Sequence, residues 1–127
     1  MGELIVLRHG ETEWSRDLRH TGRTDVPLTA AGEAAAAALA PALAARKVRA
    51  SFTSPARRAV RTAALAGLAG AITDPDLQEW DYGGYEGRTT ADIRTAGCRL
   101  RAISTSIEEM FSPPEMMMSL ARSLISM

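Results

Sequence analysis

Residues 4–14 run Leu-Ile-Val-Leu-Arg-His-Gly-Glu-Thr-Glu-Trp, an apolar segment joined directly to a cluster of chemically active residues. Four apolar residues, Leu4–Leu7, run straight into a cation, an imidazole and a glycine. An apolar run this short, half of it β-branched and ended by glycine, predicts a buried strand. In open α/β sheets, ligands collect in the crevice beyond the carboxyl ends of the strands. Arg8 and His9 therefore stand where a strand would hand them to a ligand.

Outward from that strand, a polar loop covers residues 11–28. Thr29 is placed to cap a helix through Ala30–Arg46, a stretch dominated by alanine, the best helix former. Pro41 predicts a kink or break near Leu39–Pro41. Leu39 and Leu43, at i and i+4, are expected to point together at the core. A second strand is expected at Ala50–Thr53. Ser54 as cap and Pro55 at the first helical position then open a helix over Pro55–Leu68. Ala56, Val60, Ala63 and Ala64 are its candidate core face, and Gly67 and Gly70 bracket its end. Ala71–Thr73 is a third, very short strand. Strand–helix–strand–helix–strand predicts an α/β fold with a parallel core. Residues 74–87, rich in glycine, acids and aromatics, read as a loop, and residues 89–94 open a short helix capped by Thr89 or Thr90.

The bulk properties bound the rest. One domain is expected from 127 residues, and 46% hydrophobic residues is ordinary for a globular chain. Fifteen basic and fifteen acidic residues cancel, so no long-range field favours nucleic acid or an anionic membrane. Cys98 is the single cysteine, which suits a reducing compartment and reads as an inert thiol. The N-terminus lacks a signal-peptide pattern. Val6 stands where a myristoylation signal needs Ser or Thr, and no apolar run approaches the length of a membrane span. The expectation is a soluble, cytoplasmic protein.

Three short stretches carry residues able to do chemistry. In Arg8-His9-Gly10, a guanidinium suits bidentate contact with phosphate or carboxylate, and a neutral imidazole can act as nucleophile or base. Glycine would let a ligand approach the backbone. Taken alone, the string reads more readily as a surface-loop histidine than as a site. In residues 53–63, three arginines follow a helix start, where free N–H groups and the macrodipole attract anions. Arg57 and Arg61, one turn apart, read as a solvated face, and Arg58 stays open. Glu79 lies between Leu77 and Trp80, neighbours that would keep a carboxyl protonated as a general acid. An exposed loop acid fits the local sequence as well. With two histidines and no carboxylate cluster at ligand spacing, no metal is expected. No phosphate-binding glycine loop, dinucleotide fingerprint or serine nucleophile elbow is present.

Taken together, residues 7–33, 52–63 and 77–87 resemble the histidine phosphatase superfamily, which holds the cofactor-dependent phosphoglycerate mutases and many phosphatases. The resemblance runs over about residues 3–96. It implies a three-layer sandwich with a mostly parallel sheet and helices on both faces, incomplete at the C-terminus. It implies His9 as the nucleophile that takes the phosphoryl group, Arg8 and Arg58 as the phosphate holders, and Glu79 as the proton donor to the leaving oxygen. Ser15, Thr21 and Gly22 fall at substrate-contact positions, with Ser15 standing where many members have asparagine. The style of the motifs is most similar to sugar-bisphosphatase-like members. The implied partner is a small phosphorylated substrate such as a sugar phosphate, with no cofactor, nucleic acid or membrane.

Past Gly97 the composition changes. Five of six methionines and six of nine serines lie in Cys98–Met127, while alanine falls from 21 residues to two. Ser112-Pro113-Pro114-Glu115 reads as a helix cap, with Met116, Leu120 and Leu124 along one face. The family's second histidine, in a His-Gly pair well downstream, has no counterpart, and His20 does not occupy its position. Residues 1–97 are expected to be the N-terminal part of the domain, and residues 98–127 an atypical tail produced by a shifted reading frame. The functional alternatives are phosphoryl transfer through His9, or an inactive, truncated pseudoenzyme that at most binds phosphate esters.

Overall fold

The computed structural model describes residues 2–96, and the expected tail helix after Ser112 lies outside them. In chain order the elements are α1 (Glu13–Arg16), α2 (Ala30–Ala38), α3 (Ala40–Ala44), β1 (Phe52–Thr53), α4 (Arg57–Leu65), β2 (Ile72–Thr73), 3₁₀ turns at Pro75–Leu77 and Gly83–Tyr85, and α5 (Thr90–Thr95). β1 and β2 are parallel, with Phe52 opposite Ile72 and Thr53 opposite Thr73, and α4 is the crossover between them. This βαβ unit is the parallel α/β core read from the sequence. The described residues through Ile93 form one compact unit.

The long alanine helix is two helices. Thr29 caps α2 by accepting the Gly32 N–H at 3.1 Å. Proline cannot continue the ladder, and the chain breaks at Leu39, with Pro41 in the first turn of α3. The break separates the two leucines expected on one face. Leu43 is buried, whereas Leu39, at the junction, is 38% exposed. The last helix is capped as read: Thr89 Oγ1 accepts the Asp92 N–H, and the Asp92 carboxylate accepts the Thr89 N–H.

Residues 11–28, expected to be loop throughout, hold the short helix α1, capped by Thr12. Two further expectations about elements are corrected. Leu4–Leu7 forms no strand among the described residues, and its four side chains are 36–55% exposed. Strand structure requires a hydrogen-bonding neighbour, and β1 pairs only with β2 here. The run instead lines an open groove with Glu3, Leu39, Ala42, Leu43 and Arg46. The second correction is α4. It starts at Arg57 rather than Pro55. Ser54 Oγ takes only the Ala56 N–H at 3.3 Å, and the Arg57 N–H donates to Asp25 Oδ1 at 2.9 Å. A carboxylate from the loop before α2, 32 residues back, thus caps the helix from outside.

The buried face of α4 is also not the apolar one. Arg58, Thr62 and Ala66 are 3%, 3% and 0% exposed, while Val60 is 41% exposed. α4 packs on α2, whose buried positions are Gly32 and Ala36, and Arg61 pairs with Glu33 at 2.7 Å on the outside. Among the described residues, the buried apolar ones are few, namely Val26, Ala36, Leu43 and Ala66. Much of the interior is therefore polar and hydrogen-bonded.

Candidate active site

His9 follows the Leu4–Leu7 run in an irregular segment held from two sides. On one side, α2 docks its first turn onto Gly10 and Glu11. The Thr29 N–H donates to Glu11 O at 2.9 Å, and the Thr29 hydroxyl donates to the Glu11 carboxylate at 2.7 Å. The backbones meet so closely that a Cβ on Gly10 would lie 2.5 Å from Gly32 O, and one on Gly32 would lie 2.2 Å from Glu11 O. Gly10 was expected to admit a ligand, but the space beside it is filled by α2. On the other side, the Gly10 N–H donates to Thr62 Oγ1 of α4 at 2.9 Å.

The His9 ring is half-buried, with Nδ1 2.8 Å from Gly10 O. A carbonyl only accepts, so Nδ1 carries the hydrogen and Nε2 keeps the lone pair. Burial lowers the His9 pKa. The Gly10 carbonyl opposes this, the Arg58 and Arg8 charges add to it, and Glu79 opposes it, with a net lowering from 6.5. The structure thus brings Arg8, Arg58 and Glu79 into the electrostatic neighbourhood of one neutral imidazole.

Each neighbour is placed differently. Arg8 is exposed. Arg58 is buried, donating from one terminal nitrogen to Gly22 O at 2.9 Å and from the other to Thr24 O at 3.1 Å. Two of its five donors are thereby fixed on backbone, which sets the plane of the guanidinium. Glu79 is part-exposed and accepts the Trp80 N–H at 2.9 Å, while Trp80 itself is 59% exposed. Tyr82 is pushed up to about 12 by burial and by the Glu79 charge, and stays a neutral phenol.

Gly22 and Thr21 lie in the loop under Arg58. Gly22 is buried, and a Cβ there would sit 2.0 Å from Trp80 O. Thr21 Oγ1 donates to Arg19 O at 3.3 Å. Ser15 is used in capping α1. Its Oγ accepts the Thr12 N–H at 2.8 Å and donates to Thr12 O at 3.0 Å, so its hydrogen is already committed. His20 lies across Tyr82, with ring centroids 5.2 Å apart, and its Nε2 is 3.2 Å from Thr90 Oγ1.

Two residues at this site escaped the sequence reading. One is Thr62. The other is Glu86, whose carboxylate receives the Arg23 N–H at 2.6 Å, the Thr24 N–H at 2.7 Å and the Thr24 hydroxyl. Burial raises the Glu86 pKa, but those bonds and one from the Tyr82 backbone outweigh it and leave it lowered. Glu86 thereby ties the loop carrying Gly22 and Thr24 to the loop carrying Glu79. The signal in the sequence was a carboxylate between Tyr85 and Gly87, but no local pattern named its partners 62 residues away.

Comparison with known proteins places this arrangement. The family model described as histidine phosphatase superfamily (branch 1) matches residues 4–121, so the match continues past Gly97. An acid phosphatase of Mycobacterium tuberculosis is 46% identical over 93 residues, covering 72% of this chain and 46% of that protein. A sedoheptulose 1,7-bisphosphatase of Saccharomyces cerevisiae is 36% identical over 105 residues, covering 70% and 39%. A 2,3-bisphosphoglycerate-dependent phosphoglycerate mutase of Corynebacterium diphtheriae is 40% identical over 101 residues, covering 73% and 41%. Among solved structures, the product of a Mycobacterium tuberculosis open reading frame superposes with a TM-score of 0.64 at 44% identity, covering 70% of this chain and 47% of that one. A phosphoglycerate mutase of Thermus thermophilus gives 0.58 at 45% identity, covering 65% and 46%. The chain spans less than half the length of the curated relatives it matches.

Proposed function

The chain belongs to the histidine phosphatase superfamily, branch 1, and from that premise we propose that it transfers the phosphoryl group of a small phosphomonoester to His9. The observation that carries the reading is a half-buried imidazole with its pKa lowered, its Nδ1–H committed to Gly10 O, and two arginines acting on it. The Nε2 lone pair attacks phosphorus as the ester P–O bond breaks, and Glu79, an anion before substrate binds that holds a proton once the phosphate dianion lies beside it, gives that proton to the departing oxygen. Arg8 and the remaining donors of Arg58 hold the phosphoryl oxygens, supplying the charge stabilisation on which phosphoryl transfer depends. Water then attacks phosphorus, the P–N bond breaks, and the Glu79 carboxylate takes the proton. Thr21, Gly22 and Ser15 lie on the substrate side of this reading, Ser15 through its remaining lone pair. The similarity to a sedoheptulose bisphosphatase supports a sugar phosphate as substrate.

The same reading makes the β1–α4–β2 unit part of a three-layer sandwich in a cytoplasmic enzyme. Among the described residues, no helix is long and apolar enough to cross a membrane. It also takes residues 98–127 as an atypical tail from a shifted frame, supported by the compositional change at Gly97.

The test is incubation with a phosphorylated sugar, followed by assay for acid-labile phosphate. Label on His9 that His9→Ala abolishes is the expected result, and Arg58→Ala should slow labelling by about 100-fold. Label that survives His9→Ala overturns the proposal. A second reading, phosphate-ester binding without turnover, is favoured by the engagement of the other histidine, His20, with Thr90 and Tyr82. Saturable binding with no label would establish it.

A further inference from the structure

We propose that Thr62 is a positioning residue whose hydroxyl holds the His9–Gly10 peptide and, through it, the ring tautomer of His9. Thr62 is 3% exposed, on the face of α4 that turns inward. A hydroxyl has one hydrogen to give and two lone pairs. Thr62 gives its hydrogen to Arg58 O, one turn back, at 2.7 Å, and accepts the Gly10 N–H at 2.9 Å. The first bond fixes the direction of the O–H, so a lone pair is presented to Gly10. The second reaches 52 residues back along the chain. Gly10 is at the same time pressed against Gly32 at its Cα, so the φ and ψ that join the His9–Gly10 peptide to the Gly10–Glu11 peptide have little room to change. The carbonyl of that second peptide, Gly10 O, is the group that takes the His9 Nδ1–H at 2.8 Å. One hydroxyl therefore links the turn that carries Arg58 to the backbone that decides which ring nitrogen holds the proton. A residue needed only to fill space in the α2–α4 contact could be valine, which has the same shape and no hydroxyl. An inward threonine with both bonding capacities used points to the positioning role.

This inference rests on the phosphohistidine reading only for its consequence in transfer, since the tautomer can be read without any substrate. The experiment is ¹⁵N NMR of the His9 ring and hydrogen exchange of the Gly10 amide in the full chain, in Thr62→Ser and in Thr62→Val. The unmodified chain and Thr62→Ser should show a protected Gly10 N–H and a single neutral tautomer with hydrogen on Nδ1. Thr62→Val should lose the protection and mix the two tautomers, with labelling slowed by about 100-fold, as misplacement of a reacting group does. A folded Thr62→Val with unchanged tautomer overturns the proposal. If Thr62→Val does not fold, the native chain decides: a Gly10 amide that exchanges as fast as an open loop overturns the proposal, and one protected there and in Thr62→Ser upholds it. Tautomer mixing in Thr62→Val with no label on any chain upholds the positioning role and removes the phosphohistidine reading instead.

Discussion

Burial and the two arginines act on His9 in one sense, the Gly10 carbonyl and Glu79 in the other, and the first set prevails. Two substitutions should therefore move the imidazole in opposite directions. Arg8→Gln removes a cation and should raise the His9 pKa, and Glu79→Gln removes an anion and should lower it further, both read by NMR titration. The same shift links folding to pH. The unfolded chain binds a proton at His9 near 6.5 and the folded chain only at a lower pH. Between those two values the unfolded state holds more protons, so stability should fall as pH falls through that window, and the dependence should end below the folded value. Denaturation curves across the window should show this slope, and His9→Gln should flatten it.

Helix ends and helix contacts carry the element-scale tests. α1 ends in a Schellman motif: the Arg19 N–H reaches Trp14 O at 2.8 Å and the Leu18 N–H reaches Ser15 O at 3.3 Å. Leu18 takes the position that glycine usually fills, with φ 56°, and is 79% exposed. Leu18→Gly should stabilise the fold by about 1 kcal/mol in urea denaturation, because it relieves a left-handed backbone with little burial to lose. Gly32→Ala separates local from tertiary control. Helix propensity alone favours alanine by about 1 kcal/mol, yet a Cβ there would lie 2.2 Å from Glu11 O. The contact should win, destabilising the chain by about 2 kcal/mol or more and loosening the backbone at His9. The polar face of α4 teaches the same lesson. Apolar periodicity selected Ala56, Val60, Ala63 and Ala64, but the helix buries Arg58 and Thr62, since their hydrogen bonds are made by loops far away in sequence.

At the scale of the molecule, the described residues leave an apolar surface open. Leu4 and Val6 are 55% and 54% exposed, and Phe52 and Ile72 on the two strands are 52% and 60% exposed. Such a surface binds apolar dyes and invites self-association. Leu4→Lys with Val6→Lys should reduce both dye binding and concentration-dependent light scattering. The proposed origin of residues 98–127 has its own test in the nucleotide sequence. A frame beyond Gly97 that restores an alanine-rich continuation with a His-Gly pair supports it. If neither alternative frame does so, the family match through residue 121 stands as the segment's own.

Although α1, inside the expected loop of residues 11–28, was not legible in the amino-acid sequence, the helices after residue 28, their order, the break before Pro41, the parallel βαβ unit and the family were. These follow from neighbours within a few residues: caps at Thr29 and Thr89, alanine propensity, a proline, and short motifs whose residue types are the chemistry. The three-dimensional packing was needed to show that Leu4–Leu7 pairs with no strand among the described residues, that Gly10 accommodates a helix rather than a ligand, and that Thr62 and Glu86 brace the backbone around His9 and Arg58. A strand exists only where a partner's backbone meets it. A hydroxyl or carboxylate acquires its role from the donors brought to it, and the chain segments that supply those donors here lie more than 50 residues away.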